Sequence, residues 1–143
     1  MISENTSIIK KQGCPFCELE KTDYLLENEL AFVKLDIRPV TEGHSLIIPK
    51  RHFADYFAAT QAEKAAMDDL MRIRHDELLN SDITIEGFNI GANCGKVAGQ
   101  TVLHCHIHLI PRRKNDIENS KAEILKDGIR GAIRRRVSCH HID

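Results

Sequence analysis

A chain of 143 residues fits one domain with enough length to bury a core, and 42% hydrophobic against 29% charged residues is the balance of an ordinary soluble globular protein. Lys and Arg number 20 against 21 Asp and Glu, which argues against a general nucleic-acid or membrane-surface binder. The start of the chain, Met1 to Asn5, is polar, there is no signal-type apolar region, and no apolar run reaches membrane-spanning length. A cytoplasmic protein is therefore expected, with its 5 cysteines serving as metal ligands and buried thiols rather than as a disulfide framework.

Residues 1–13 read as a loose lead-in to Cys14-Pro15-Phe16-Cys17. Two cysteines spaced by two residues can chelate one metal from a tight turn, and a thioredoxin-like redox pair has the same spacing. A redox pair should open a helix after a buried strand, whereas polar Lys10-Lys11-Gln12-Gly13 precedes this one. A zinc site needs two further ligands, and with no second Cys pair these must be histidines. Asp23 to Leu26 and Leu30 to Leu35 predict two short strands around a hairpin at Glu27-Asn28-Glu29. Asp36 ends the second strand. His44 to Pro49 is an almost continuously apolar third strand, which predicts burial on both faces.

Thr60-Gln61-Ala62-Glu63 fits a capping box at the start of a helix that runs to about Leu79, with Ala66, Met67, Leu70, Met71 and Ile73 on its packing face and Asn80-Ser81-Asp82 ending it. His75 within it reads as a surface histidine. Phe88 to Asn93 is the next strand, followed by the loop Asn93 to Gly99, whose glycines allow close backbone approach to an anion. No Walker-type phosphate motif is present.

The decisive stretch is His104-Cys105-His106-Ile107-His108-Leu109-Ile110. Alternation at period two predicts a strand with His104, His106 and His108 on one face and Cys105, Ile107 and Leu109 turned into the core. Three imidazoles in register suit a small anionic substrate, or a metal for one of them. Neutral imidazole is a good nucleophile near pH 7. Attack by His106 on phosphorus would give a labile phosphoramidate and split one difficult displacement into two easier ones. Donors must meet the charge that develops on the phosphoryl oxygens. His108 on the same face, Gln100 and Thr101 leading in, and Asn93 across the loop are placed to supply them. After Pro111 the chain turns basic. Ser120 to Lys126 predicts a short helix, and Cys139-His140-His141 in the tail has soft-ligand chemistry.

The segment Gly99 to Arg112 resembles the histidine triad (HIT) family of nucleotide hydrolases and transferases: three histidines, each followed by an apolar residue, the last by two, with Gly-Gln-Thr before and Pro-Arg after. The resemblance extends back through Leu46-Ile47-Ile48-Pro49-Lys50-Arg51-His52 to Cys14-Pro15-Phe16-Cys17. It implies an α+β fold over a single HIT-like domain, residues 1–143 with 114–143 a variable basic segment: a five-stranded antiparallel sheet, one long packing helix, and pairing into a homodimer. It implies His106 as the nucleophile that takes a nucleotidyl group at the α-phosphate, and His108 as the donor to the phosphate or leaving oxygen. Asn93, Gln100 and Thr101 fall at phosphate-contacting positions. Asp36 falls at a ribose-binding position, although a turn-capping aspartate explains it equally. Family branches with a Cys pair place a structural zinc on residues matching Cys14, Cys17, His52 and His104, with His44 the rival fourth ligand. No organic cofactor is implied. The expected substrate is a purine nucleotide conjugate such as a dinucleoside polyphosphate or nucleoside phosphoramidate. A non-catalytic nucleotide-binding module and a small zinc-stabilised nucleic-acid binder are the competing readings.

Overall fold

The computed structural model describes residues 8–116. The helix expected over Ser120 to Lys126 and the tail Cys139-His140-His141 lie outside the described residues. Five strands, β1 (Leu26–Glu27), β2 (Ala31–Leu35), β3 (Ser45–Pro49), β4 (Gly87–Gly91) and β5 (Ile107–Arg112), form one sheet in the order β1-β2-β3-β5-β4, every neighbouring pair antiparallel. One helix, α1 (Gln61–Ser81), lies against it. This is the α+β architecture expected.

The apolar run of β3 is buried at every position because both faces of the sheet are covered. Ala31, Val33, Ile47, Ile107 and Leu109 pack with Met67, Leu70 and Leu78 of α1. On the opposite face Phe32, Leu46 and Ile48 gather Phe16, Leu19 and Tyr24, and Tyr24 stacks on Phe32 with ring centroids 4.0 Å apart. The alternation along β2 and β3 thus sorts side chains between two cores.

α1 begins as the sequence predicts. Thr60 Oγ1 accepts from the Glu63 amide, and the Glu63 carboxylate accepts from the Thr60 amide. Ile73 is the exception on its packing face. It is 47% exposed, because it sits about 120° around the helix from Met67. Arg74 stands closer to the sheet and donates to Ser45 Oγ at 2.9 Å. The first hairpin strand is shorter than expected, since Lys21–Asp23 forms a 3-10 turn closed by reciprocal Glu20 and Asp23 bonds. Asn28 makes the turn: its Oδ1 accepts from the amides of Leu30 and Ala31, and its Nδ2 donates to Ala66 O on α1.

The expected triad strand differs in extent. Of the three histidines only His108 lies within β5; His104 sits in a bend, and Cys105 and His106 lead from it into the strand without ladder pairing. Their backbone is held by another partner: the Cys105 amide donates to Phe53 O at 2.9 Å. The alternation survives without the ladder. Ile107 and Leu109 enter the helix-side core and Cys105 is buried.

Candidate active site and metal centre

Two clusters are built on the face opposite α1. The first joins Cys14, Cys17, His52 and His104, whose ligand atoms all lie within 4.8 Å of one another. His104 Nδ1 is 3.4 Å from Cys14 Sγ, 3.5 Å from Cys17 Sγ and 3.1 Å from His52 Nδ1, and Cys17 Sγ is 3.4 Å from His52 Nδ1. A tetrahedral zinc with bonds of about 2.0–2.3 Å has ligand-to-ligand edges of roughly 3.3–3.8 Å; the three sulfur–nitrogen distances fall in that range and the nitrogen–nitrogen distance lies just below it, so the cluster is close to the dimensions of such a site. The tautomer also fits. His104 Nε2 donates to Pro49 O at 2.8 Å, which turns the Nδ1 lone pair into the cluster. Burial pushes the His104 pKa down to about 4, so the ring is neutral at pH 7 as a ligand must be. Amides approach both sulfurs, Cys17 N on Cys14 Sγ and Lys11 N on Cys17 Sγ.

Two contacts bring the distant pieces together. Arg51 makes a two-pronged ion pair with Glu63 in the first turn of α1 (Nε–Oε2 2.7 Å, Nη2–Oε1 2.8 Å) and lies over the Phe53 ring. Burial works against the charged Glu63 carboxyl, but its bonds to Arg51 and Thr60 prevail and hold its pKa below the ordinary value. The helix start thereby fixes the segment bearing His52, and Phe53 O fixes the segment bearing His104.

The second cluster is Asp36, His44 and His108, all buried. His44 Nδ1 accepts from the Val40 amide at 3.0 Å, so the ring carries its proton on Nε2. That Nε2 lies 2.9 Å from His108 Nδ1 and 3.4 Å from Asp36 Oδ2. His108 therefore accepts at Nδ1 and carries its own proton on Nε2, the tautomer a donor to substrate requires. His44, the rival fourth ligand, lies in this second cluster, apart from Cys14, Cys17, His52 and His104. It holds the tautomer of His108 instead. Sequence reasoning missed that role because its partner is far along the chain. Asp36 Oδ1 accepts from the Arg38 amide at 2.9 Å, the geometry of a turn cap, while its other oxygen faces His44.

His106 stands between the clusters. Its Nδ1 donates to its own chain's His104 O at 2.7 Å, which leaves the lone pair on Nε2. Its ring centroid is 5.2 Å from that of His108. The loop leading in is shaped by Gln100, which is buried. Its Oε1 accepts from Gly95 N, and its Nε2 donates to Ala54 O and Val102 O. The Gln100 amide braces the loop rather than reaching outward. Gly95 and Gly99 take φ of 101° and 98°, which non-glycine side chains rarely adopt. Asn93 Nδ2 donates to Gly99 O at 3.2 Å, and Thr101 is exposed beside them.

The HIT domain family matches residues 19–115, which include both histidines of the second cluster and the nucleophile candidate. The chain belongs to the HIT family. The adenosine 5'-monophosphoramidase of Saccharomyces cerevisiae is 36% identical over 105 residues, 71% of this chain and 63% of that protein. The bis(5'-adenosyl)-triphosphatase of Dictyostelium discoideum is 33% identical over 102 residues, 71% of this chain and 68% of that one. A zinc-bound histidine triad family protein from Mycobacterium smegmatis superposes with a TM-score of 0.66 at 32% identity, covering 89% of this chain and 97% of the other. This HIT protein thus shares its sheet and helix with a zinc-bound relative and carries a Cys/His cluster that fits the same metal.

Proposed function

We propose that this HIT protein is a nucleotidyl hydrolase or transferase that cleaves at the α-phosphate of nucleoside phosphoramidates, dinucleoside polyphosphates or related purine nucleotide conjugates. One observation carries the reading: His106 has Nδ1–H tied to His104 O, so its lone pair is on Nε2, beside a His108 whose own tautomer is set by His44. That is a nucleophile and a donor prepared before substrate arrives. The names of the yeast and Dictyostelium relatives support a hydrolase acting on nucleotides.

His106 Nε2 attacks the α-phosphorus as the bond to the leaving group breaks, giving a nucleotidyl-histidine. The ring becomes positively charged at that moment, and the His104 carbonyl on its Nδ1–H stabilises the charge. His108 Nε2–H donates to a phosphoryl oxygen or to the leaving atom, the bridging oxygen of an anhydride or the nitrogen of a phosphoramidate, which departs as the protonated amine. Water, or another acceptor, then displaces His106 and frees the nucleotide. Asn93, Thr101 and the backbone of the loop braced by Gln100 contact the phosphates, and Asp36 takes the ribose hydroxyls.

Cys14, Cys17, His52 and His104 would hold zinc. Four protein ligands would leave no open position, so the metal would contribute folding free energy and rigidity rather than reaction chemistry. We further propose a cytoplasmic homodimer that needs no organic cofactor. Within the sheet β4 is an edge strand with Ile90 half exposed, a surface suited to a second copy.

The test is a turnover panel of adenosine 5'-phosphoramidate, diadenosine triphosphate and diadenosine tetraphosphate. Release of the mononucleotide from at least one supports the proposal. Binding of all three with no product from any would make this a non-catalytic nucleotide-binding module.

A further inference from the structure

Phe16 sits between the two cysteines of the metal cluster and is only half-buried. Its ring stands edge-to-face on His104, centroids 5.7 Å apart at 80°, and edge-to-face on His106, 5.1 Å apart at 81°. It also packs against Phe32, Leu46 and Ile48. We propose that Phe16 is a positioning residue for His106: it transmits the order of the Cys14–Cys17 turn to the nucleophilic ring, so that filling the cluster with zinc aims His106 Nε2. The inference rests on His106 as the nucleophile and adds what holds its ring.

His106 Nδ1 donates to the His104 carbonyl, and its ring stands against that of His108. The perpendicular Phe16 ring adds an edge-to-face contact that narrows the orientations open to the imidazole. Phe16 can do this only while its own backbone is held. It belongs to a four-residue turn whose backbone bonds include Cys14 N to Lys11 O, Glu18 N to Cys14 O and Leu19 N to Phe16's own carbonyl. The two cysteines flanking Phe16 are the anchors a metal would tighten. Misplacing a reacting atom by about 1 Å can cost up to roughly 100-fold in rate, so a modest loss of aim has a measurable consequence.

The experiment compares wild type with Phe16→Ala, Phe16→Leu and Phe16→Tyr, each zinc-loaded and chelated. Zinc stoichiometry, imidazole nitrogen NMR of His106 and steady-state kinetics are read together. In wild type, chelation should shift or broaden the His106 signals. In zinc-replete Phe16→Ala those signals should already resemble the chelated wild type and respond little to further chelation. Its kcat should fall about tenfold with KM within about twofold. Phe16→Tyr, which keeps the ring, should restore both. Phe16→Leu keeps apolar bulk without a ring, and it is the variant to read should Phe16→Ala lose metal. A zinc-replete Phe16→Ala or Phe16→Leu with wild-type His106 signals and wild-type kcat overturns the proposal. The NMR comparison needs no substrate, so it decides the coupling even where the covalent reading of His106 fails.

Discussion

His44→Phe is the sharpest perturbation of the second cluster, because it keeps a planar aromatic ring, somewhat larger than imidazole, and removes both ring nitrogens. His44 is fully buried and binds the Val40 amide and His108 Nδ1, with Asp36 Oδ2 3.4 Å away. A net neutral hydrogen bond is worth about 1 kcal/mol, and a stranded buried group costs about 1–3 kcal/mol. Two lost bonds next to a buried carboxylate sum to roughly 3 kcal/mol. In a domain of this size that corresponds to a melting temperature lower by about 10 °C. The catalytic effect is separate. With no donor at Nδ1, His108 no longer favours the Nε2–H form, and the loss of one positioned donor to the phosphoryl group should reduce kcat about 100-fold with KM nearly unchanged. Differential scanning fluorimetry and steady-state kinetics with adenosine 5'-phosphoramidate read the two effects. A variant with kcat within twofold of wild type would refute the tautomer argument, even if its melting temperature fell as expected.

His106→Ala should abolish turnover while nucleotide affinity stays within about tenfold, as titration calorimetry would show, since the phosphate contacts belong to other residues. The purified protein should hold about one zinc per chain, and Cys14→Ser or Cys17→Ser should lose metal and melting temperature together; metal analysis finding no zinc in protein never exposed to chelator contradicts this. His104→Ala should behave like the cysteine variants, with partial metal loss and a lower melting temperature, rather than like His106→Ala. In the metal-free protein, stability should fall as pH drops from about 6.5 to about 4 and then level off. His104 titrates near 4 when folded but near 6.5 when unfolded, so over that window the unfolded state binds the proton. A pH-independent melting temperature across the window would count against the buried neutral ring.

The elements carrying strong local signals were legible in the sequence. The capping box at Thr60 and Glu63, the doubly buried β3 and the alternating triad each depend on neighbouring residues and on period, which a sequence displays directly. The four metal-cluster residues were reached through the family resemblance, and their atoms do converge. What stayed hidden depends on contacts distant in sequence. His44 reads as a strand-end histidine until the pairing of β3 with β5 sets Leu46 opposite His108 and brings His44 Nε2 onto its ring. Gln100 reads as a polar side chain beside a phosphate loop, yet its amide is drawn inward by Gly95, Ala54 and Val102. Phe16, between the two cysteines, carries no sequence signal of its own, and only the folded chain sets it against His104 and His106. The start of β5 at Ile107 escaped the period argument because the polar–apolar alternation of the sequence runs on through a bend at His104 and two unpaired residues before the ladder begins.

The central claim is that His106 Nε2 becomes covalently bonded to the α-phosphorus. Rapid acid-free quenching of the protein with adenosine 5'-phosphoramidate, followed by peptide mass spectrometry, tests it directly. The account predicts an adenylyl group on the peptide containing His106, formed before product accumulates and missing from His106→Ala. Full turnover by wild type with no adduct at any time, or an adduct on His108 instead, would contradict it.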